Sequence, residues 1–268
     1  AAERRPFAKV AGIVGRTKQA LREARVASEL GYHAGLLSLG AWRTDDEAKI
    51  LAHCRAVGEA IPLFGFYLQP AVGGRVLSHG FWRQFAEIPS VVAIKIAPFN
   101  RYQTIDVVRA VADVGREDVA LYTGNDDSIV VDLLTRFPCV VDGHLVERRI
   151  VGGLLGHWAM WTRRAVELVS IIKRAGGDTE MSSDWLRLAA AVTDANGAIF
   201  DVRTNFAGCI PGIHEVLRRQ GLMPGTWCLD PSEVLTDEHG KEIDRVMEAY
   251  PAMRDDEFVR EGLAAWRA

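Results

Sequence analysis

The sequence predicts an α/β fold in which parallel strands alternate with helices. Six apolar, strand-like runs recur along the chain, and their starts lie 25, 29, 29, 27 and 32 residues apart. This spacing is the length of a strand, a loop and a crossover helix. Segments with helical periodicity separate the runs, so the pattern indicates a βα repeat. The six runs are AKVAGIVG (8–15), HAGLLSL (33–39), PLFGFYL (62–68), VVAIKIA (91–97), DVALYTG (118–124) and IVGGLLG (150–156).

The first two intervening segments carry signals for helix boundaries. TKQALREARVASELG begins with Thr17, which can cap a helix, and ends with Gly31, which can stop one. In TDDEAKILAHCRAVGEA, Thr44 precedes an acidic first turn, which favours a helix N-terminus. Six such units fit either an open doubly wound sheet or most of a closed eightfold barrel. The GIVGR turn lacks the glycine spacing of a dinucleotide fingerprint, which argues against a nucleotide-binding open sheet.

The last third of the chain reads as helical. The linker-like stretch AGGDTEMSS separates it from the repeats. We therefore expect a βα core over 1–175 and a helical region, packed on that core, over 176–268. Helical patterns follow the sixth run at 157–175, 184–196, 205–220 and 240–265.

The composition excludes several classes of partner. The 32 basic and 35 acidic residues are scattered and give a net charge of -3, so the chain offers no basic stripe for nucleic acid and no polybasic membrane anchor. The four cysteines form no CxxC pair, and the cytoplasm is therefore the simplest location. The seven histidines form no HxH or HExxH pair, so no metal site is predicted.

Lys95 is the most informative single residue. It lies within SVVAIKIAP, an apolar run that is typical of a strand covered on both faces. Burial disfavours the charged form of a lysine and leaves a nucleophilic amine. An edge strand whose lysine reaches water, or a carboxylate partner on the next strand, would also explain a charge at this position.

Reactive and permissive groups lie at the ends of the neighbouring runs. Active sites of parallel barrels gather where the strands end, which places Tyr67, Lys95 and the segment YTGNDD at one edge. Tyr67 could move protons, Gly124 permits close backbone approach, and Asp126 could bind a polar substrate. Tyr67 could equally fill the barrel mouth, and residues 125–127 could form a helix N-cap.

These motifs resemble the dihydrodipicolinate synthase and N-acetylneuraminate lyase family, the pyruvate-dependent class I aldolases with a (β/α)8 barrel. VAGIVGRTKQALREARVASELGYHAGLL is similar to the third unit of that family. FYLQP is similar to the strand end that carries its tyrosine, VVAIKIAP to its Schiff-base strand, and YTGNDD to its YsGdD segment. The resemblance implies a TIM barrel followed by a helical region.

The resemblance also implies roles for individual residues. Lys95 would form an imine with pyruvate or another 2-oxo acid, and Tyr67 would transfer protons. Gly124 and Asp126 would line the distal substrate region, and Leu155 would present its backbone to the ligand. The chemistry would need no cofactor and no metal, and the family suggests a homodimer or homotetramer.

The chain departs from the family at three places. The first two βα units, which carry the carboxylate-binding turn, have no counterpart in the printed sequence, so we expect a missing N-terminal segment. Val72 stands at the arginine of the GRTG turn, which argues against dihydrodipicolinate synthesis. Ala41 and Trp42 replace a tyrosine pair, and we assign Trp42 to the substrate region.

Two functions therefore remain open from the sequence. The first is a Schiff-base lyase, either an aldolase or a dehydratase, that acts on a 2-oxo acid. The second is a barrel that has lost catalysis and binds a small metabolite as a sensor or scaffold. The altered turn, the replaced tyrosine pair and the absent first units favour the second function, whereas Lys95 and Tyr67 favour the first.

Overall fold

The computed structural model describes residues 7–175 and 182–267. By its packing, the chain divides into two compact units. The first contains the described residues up to Gly124 together with Thr135–Gly153, and the second contains Asn125–Leu134 together with the described residues from Leu154 onward. The division at residue 175 that the sequence suggests stays a prediction, and part of its linker, 176–181, lies outside the described residues.

The first unit contains one sheet of seven strands. They are β1 (Val10–Ile13), β2 (Ala34–Leu37), β3 (Leu63–Leu68), β4 (Val91–Ala97), β5 (Ala120–Thr123), β6 (Arg136–Val141) and β7 (His144–Gly153). Strands β1 to β5 each pair in parallel with the next strand in sequence, and the sheet order is β1-β2-β3-β4-β5-β7-β6. The predicted parallel α/β architecture is confirmed.

Four helices alternate with these strands in the first unit. They are α1 (Thr17–Glu29), α2 (Glu47–Gly58), α3 (His79–Ala86) and α4 (Arg101–Asp113). Gly31 follows the end of α1 with φ +71°, which confirms the predicted stop. The predicted cap at Thr17 is wrong, because Thr17 already lies inside the helix and Arg16 occupies the cap position without a side-chain hydrogen bond.

Aromatic side chains of α3 fill the space between this helix and β3. Phe81, Trp82 and Phe85 are at most 2% exposed. A Cβ at Gly65 would lie 2.7 Å from Phe85 Cε1, so the glycine on β3 makes room for the phenylalanine. Tyr67 lies two residues after Gly65, and therefore on the same face of the strand. Its ring lies 5.0 Å from that of Trp82.

A hairpin at the edge of the sheet was not predicted from the sequence. Strand β6 pairs antiparallel with β7, and β7 pairs in parallel with β5. Asp142 and Gly143 form the two-residue turn with φ +49° and +79°, the conformation that Asp-Gly favours in tight hairpins. The sheet therefore has seven strands rather than six, and its last strand begins at His144, before the predicted run.

The second unit is helical. Its helices are α5 (Ile129–Leu134), α6 (Thr162–Ala175), α7 (Asp184–Ile199), α8 (Cys209–Arg219), α9 (Asp237–Ala249) and α10 (Asp256–Arg267). Buried apolar side chains from three of these helices, among them Ile199 of α7, Val216 of α8 and Ile243 of α9, form one core with Trp161. The single helix expected over 240–265 is two helices, because Pro251 follows the end of α9. Within the described ranges, no helix is long and apolar enough to cross a membrane.

Candidate active site

Lys95 lies in a row of side chains that crosses the middle of the sheet. Its register partner on β3 is Phe66, and its partner on β5 is Tyr122. Paired residues of parallel strands project to the same face, so the amine lies between two aromatic positions. Lys95 is half-buried, and its Nζ lies 4.5 Å from the centroid of the Phe66 ring. The lysine is thus neither at a sheet edge nor fully exposed to water.

Gly124 provides the space that the Lys95 side chain occupies. A Cβ at Gly124 would lie 2.8 Å from Lys95 Cε and 2.7 Å from Ala97 Cβ. The glycine N–H donates to the carbonyl oxygen of Ile96 at 2.7 Å, which fixes the backbone just beyond the end of β5. Of the residues assigned from the sequence, Gly124 is the one that the structure brings against Lys95. Its role in substrate binding stays a prediction.

Tyr67 projects to the other face of the sheet. It pairs with Ile96, follows Phe66 on β3, and is fully buried beside Trp82. Its hydroxyl donates to the carbonyl oxygen of Leu77 at 3.3 Å and accepts from the N–H of Leu77 at 3.2 Å. Burial is the main cause that raises the pKa of this phenol. Its role as an acid and base stays a prediction, and would require these hydrogen bonds to open.

Trp42 joins the loops that follow three neighbouring strands. Its indole N–H donates to the Gly15 carbonyl oxygen at 3.3 Å, and the Arg16 guanidinium lies 4.4 Å above its ring. Arg16 also pairs with Asp45 at 2.8 Å. Arg75 donates to the carbonyl oxygens of Trp42 at 3.0 Å and Asp45 at 2.6 Å. The buried tryptophan therefore holds these loops together, and its assignment to the substrate region stays a prediction.

His53 lies against Trp42 and is almost completely buried. The two ring centroids are 4.6 Å apart, and His53 Nδ1 lies 3.0 Å from Thr17 Oγ1. Burial, and secondly the charge of Arg16, lowers the pKa of His53 from 6.5 to about 4. This histidine was not singled out from the sequence, since a lone histidine inside a helical pattern carries no specific signal.

Asp126 belongs to the second unit and connects three of its segments. Its Oδ1 accepts from the His157 N–H at 2.9 Å, and its carbonyl oxygen accepts from Asn196 Nδ2 at 2.8 Å. His157 Nδ1 lies 2.6 Å from Asn196 Oδ1, so Nδ1 is the protonated nitrogen of that ring. Burial lowers the pKa of His157 despite this hydrogen bond. The packed interpretation of His157 therefore fits, and Asp126 as a substrate ligand stays a prediction.

Leu155 also lies in the second unit. It precedes the short 3₁₀ turn Gly156–Ala159, and its carbonyl oxygen accepts from the Trp158 N–H at 3.3 Å. Its backbone is extended, with φ -137° and ψ 153°. The contact with a ligand backbone that the family implies for this residue stays a prediction.

Two aromatic residues of the candidate site were not identified as site residues from the sequence. Phe66 and Lys95 are 29 residues apart, and Lys95 and Tyr122 are 27 apart. The starts of the corresponding runs have the same two separations, so the strand spacing itself contained the register. Within the part of the chain that the structure describes, no group of three or more histidine, cysteine or acidic side chains could hold a metal ion.

The chain is similar to proteins of known family. No family model matches it. A 4-hydroxy-tetrahydrodipicolinate synthase from a Cyanothece species is 29% identical over 120 residues, which is 44% of this chain and 39% of that protein. The match therefore spans well under half of the relative.

Solved structures of low sequence identity share the fold. CdNal from Clostridium difficile, solved with mannosamine, superposes with a TM-score of 0.68 at 17% identity, and covers 91% of this chain and 75% of its own. YagE, a prophage protein of the dihydrodipicolinic acid synthase family from E. coli K12 solved with pyruvate, gives 0.67 at 14% identity, with 92% and 76% coverage. These likenesses confirm the predicted fold class, a (β/α) barrel with a C-terminal helical region.

Replacement of Gly124 by alanine tests the space beside Lys95. The added methyl group would overlap Lys95 Cε and Ala97 Cβ, so we expect the free energy of unfolding to fall by roughly 1–3 kcal/mol. Urea unfolding followed by circular dichroism measures this change. Gly80→Ala is the matched control, because a Cβ there would meet only Ser78 Oγ at 3.7 Å. Equal stability of the two variants would contradict the packing described.

The lowered pKa of His53 predicts a loss of stability in acid. The folded protein binds this proton less readily than the unfolded chain, so the contribution of His53 is complete above about pH 6.5 and is lost as the pH falls towards 4. The full loss amounts to about 3 kcal/mol. His53→Gln should flatten the dependence of unfolding free energy on pH in this window, whereas His144→Gln, in the exposed hairpin turn, should not. Unchanged slopes in both variants would exclude His53 as the cause.

Proposed function

We propose that this divergent relative of the dihydrodipicolinate synthase and N-acetylneuraminate lyase family is a class I lyase that acts on pyruvate or another 2-oxo acid. The observation that carries the proposal is the environment of Lys95. The amine lies half-buried in the middle of a parallel sheet, in register with two aromatic side chains. A lysine in such a position is costly unless it is used, and imine formation uses its amine.

The chemistry begins with the neutral amine of Lys95. Nζ forms a bond to the C2 carbon of the 2-oxo acid, the carbonyl oxygen leaves as water, and the nitrogen becomes part of a protonated imine. This cation accepts the electron pair of a C3–H or C3–C4 bond, so that a proton or an aldehyde leaves and an enamine remains. Protonation at C3 and hydrolysis by water return the free lysine and the 2-oxo acid.

Tyr67 is the proposed proton carrier, by resemblance to the family. Its hydroxyl must first exchange its hydrogen bonds with the Leu77 main chain for contact with the substrate. Val72 occupies the position of the family's substrate-binding arginine, and we infer that the second substrate is not the one used in dihydrodipicolinate synthesis. Gly124, Asp126, Leu155 and Trp42 remain the proposed substrate-binding residues.

A noncatalytic binding protein is the second candidate. The observation that favours it is the Tyr67 hydroxyl, which is fully engaged by the peptide group of Leu77 on the face opposite to Lys95. Such a protein would hold a 2-oxo acid without turnover. In either case we propose a cytoplasmic homodimer or homotetramer that needs no metal or organic cofactor.

Reductive trapping tests the imine directly. Incubation of the protein with pyruvate and borohydride should add one reduced pyruvate unit to Lys95, which intact mass and peptide mapping detect. Lys95→Ala should give no adduct, because its methyl side chain cannot form an imine. Lys49→Ala removes an exposed lysine of α2 and should retain the adduct. Absence of an adduct in the unaltered protein, with pyruvate and a panel of other 2-oxo acids, would exclude the class I mechanism.

Two tyrosine variants test the proton carrier. Tyr67→Phe should slow the exchange of pyruvate C3 protons with deuterium in D₂O by about 100-fold or more, because general acid and base groups contribute on that scale. The Lys95 adduct should still form. Tyr122→Phe removes the same atom from the face that carries Lys95 and serves as the matched variant. Loss of exchange in Tyr122→Phe alone, measured by proton NMR, would transfer the role to Tyr122.

A further inference from the structure

The Phe66 ring meets the atom that would become the imine nitrogen. Lys95 Nζ lies 4.5 Å from the ring centroid, within the range of a cation–π contact. Phe66 and Lys95 are direct register partners on adjacent strands, so the contact is set by the sheet rather than by a flexible loop. A ring on the paired residue therefore stays next to the amine whenever the two strands are paired.

The surroundings restrict the Lys95 side chain to this ring. The position that a Cβ of Gly124 would occupy lies 2.8 Å from Lys95 Cε, so the lysine stem passes directly over the glycine. Phe64 precedes Phe66 by two residues and projects to the same face. Its ring contacts Tyr122, with the centroids 5.3 Å apart, and Tyr122 in turn lies over Gly152. The two phenylalanines of β3 thus have different partners on one surface.

We propose that Phe66 is a positioning residue for the imine nitrogen, and that its ring face holds this nitrogen in both of its cationic forms. The inference rests on the proposed imine chemistry at Lys95. The free ammonium and the protonated imine are both cations on the same atom, and both are attracted by the negative face of an aromatic ring. The neutral amine and the neutral carbinolamine are not.

This preference affects the two halves of the reaction in opposite directions. Stabilisation of the ammonium reduces the fraction of neutral amine that can attack the 2-oxo acid. Stabilisation of the protonated imine keeps the proton on the nitrogen, and a protonated imine is the form that accepts electrons from C3. Phe66 therefore favours the electron-accepting intermediate at the expense of the first step. No bond to the ring forms or breaks in either half.

A fluorinated series tests the inference without a change of shape. Phenylalanine at 66 is replaced by 4-fluoro-, 3,5-difluoro- and 3,4,5-trifluorophenylalanine, which weaken the negative ring face stepwise. Trace acetylation by acetic anhydride at fixed pH measures the neutral amine of Lys95 relative to that of Lys173. We expect relative acetylation to rise with each fluorine, to about two- to fivefold in the trifluoro protein, the scale of one cation–π contact. A flat series would overturn the proposal.

Conventional variants provide the control and the rescue. Phe66→Leu should raise relative acetylation of Lys95 and lower the yield of reduced pyruvate adduct, whereas Phe66→Tyr, which retains the ring, should restore both. Phe64→Leu removes a ring of the same strand and face that contacts Tyr122 instead, and should leave Lys95 acetylation unchanged. An equal effect of Phe64→Leu and Phe66→Leu would show a packing effect and reject the specific role of Phe66.

The two proposals fail in different experiments. If the unaltered protein gives no pyruvate adduct, the imine function is wrong, and the acetylation series still decides whether the Phe66 ring holds the ammonium. If the adduct forms but acetylation of Lys95 is the same throughout the fluorinated series, the imine function stands and the role of Phe66 is wrong.

Discussion

The register of three parallel strands is the constraint on which the candidate site depends. Main-chain hydrogen bonds between β3, β4 and β5 align Phe66, Lys95 and Tyr122 in one row. Each bond contributes about 1 kcal/mol net, but a shift of one residue would move every side chain to the other face. The ladder therefore determines which groups share a face with the amine, and it does so before any side chain makes a contact.

Absent side chains complete what the register begins. Three glycines of the sheet and its margin leave space that larger neighbours use. Gly65 accommodates Phe85 on the helix-facing side, while Gly124 accommodates the Lys95 stem and Gly152 the Tyr122 ring on the opposite side. Since protein interiors are close-packed, each glycine fixes the position of the larger group as firmly as a direct contact would. The sequence motif YTGNDD thus has a steric reason for its glycine that is independent of any ligand.

Much of the fold, and less of the site, could be predicted from the sequence. Apolar periodicity located the parallel strands and singled out Lys95, because both signals are local. The faces of the strands were harder, since Tyr67 and Phe66 are adjacent and equally apolar, and only the pairing partner on β4 decides which one shares a face with the lysine. The equal separations of runs and residues contained that pairing. The β6–β7 hairpin was missed although Asp142-Gly143 is a strong turn signal, because attention rested on the regular βα spacing.

The two units are interleaved along the chain, and this has a consequence for synthesis. Helix α5 leaves the ribosome between β5 and β6, yet it packs with α6 and α7, which come later in the sequence. Its apolar residues Ile129, Val130 and Leu133 are buried in the finished protein and must wait for those partners. The sheet, in contrast, has all its strands once Gly153 has been made. A nascent chain therefore has a complete sheet and an unpartnered α5 at the same time, and any truncation before α7 would leave that apolar helix exposed.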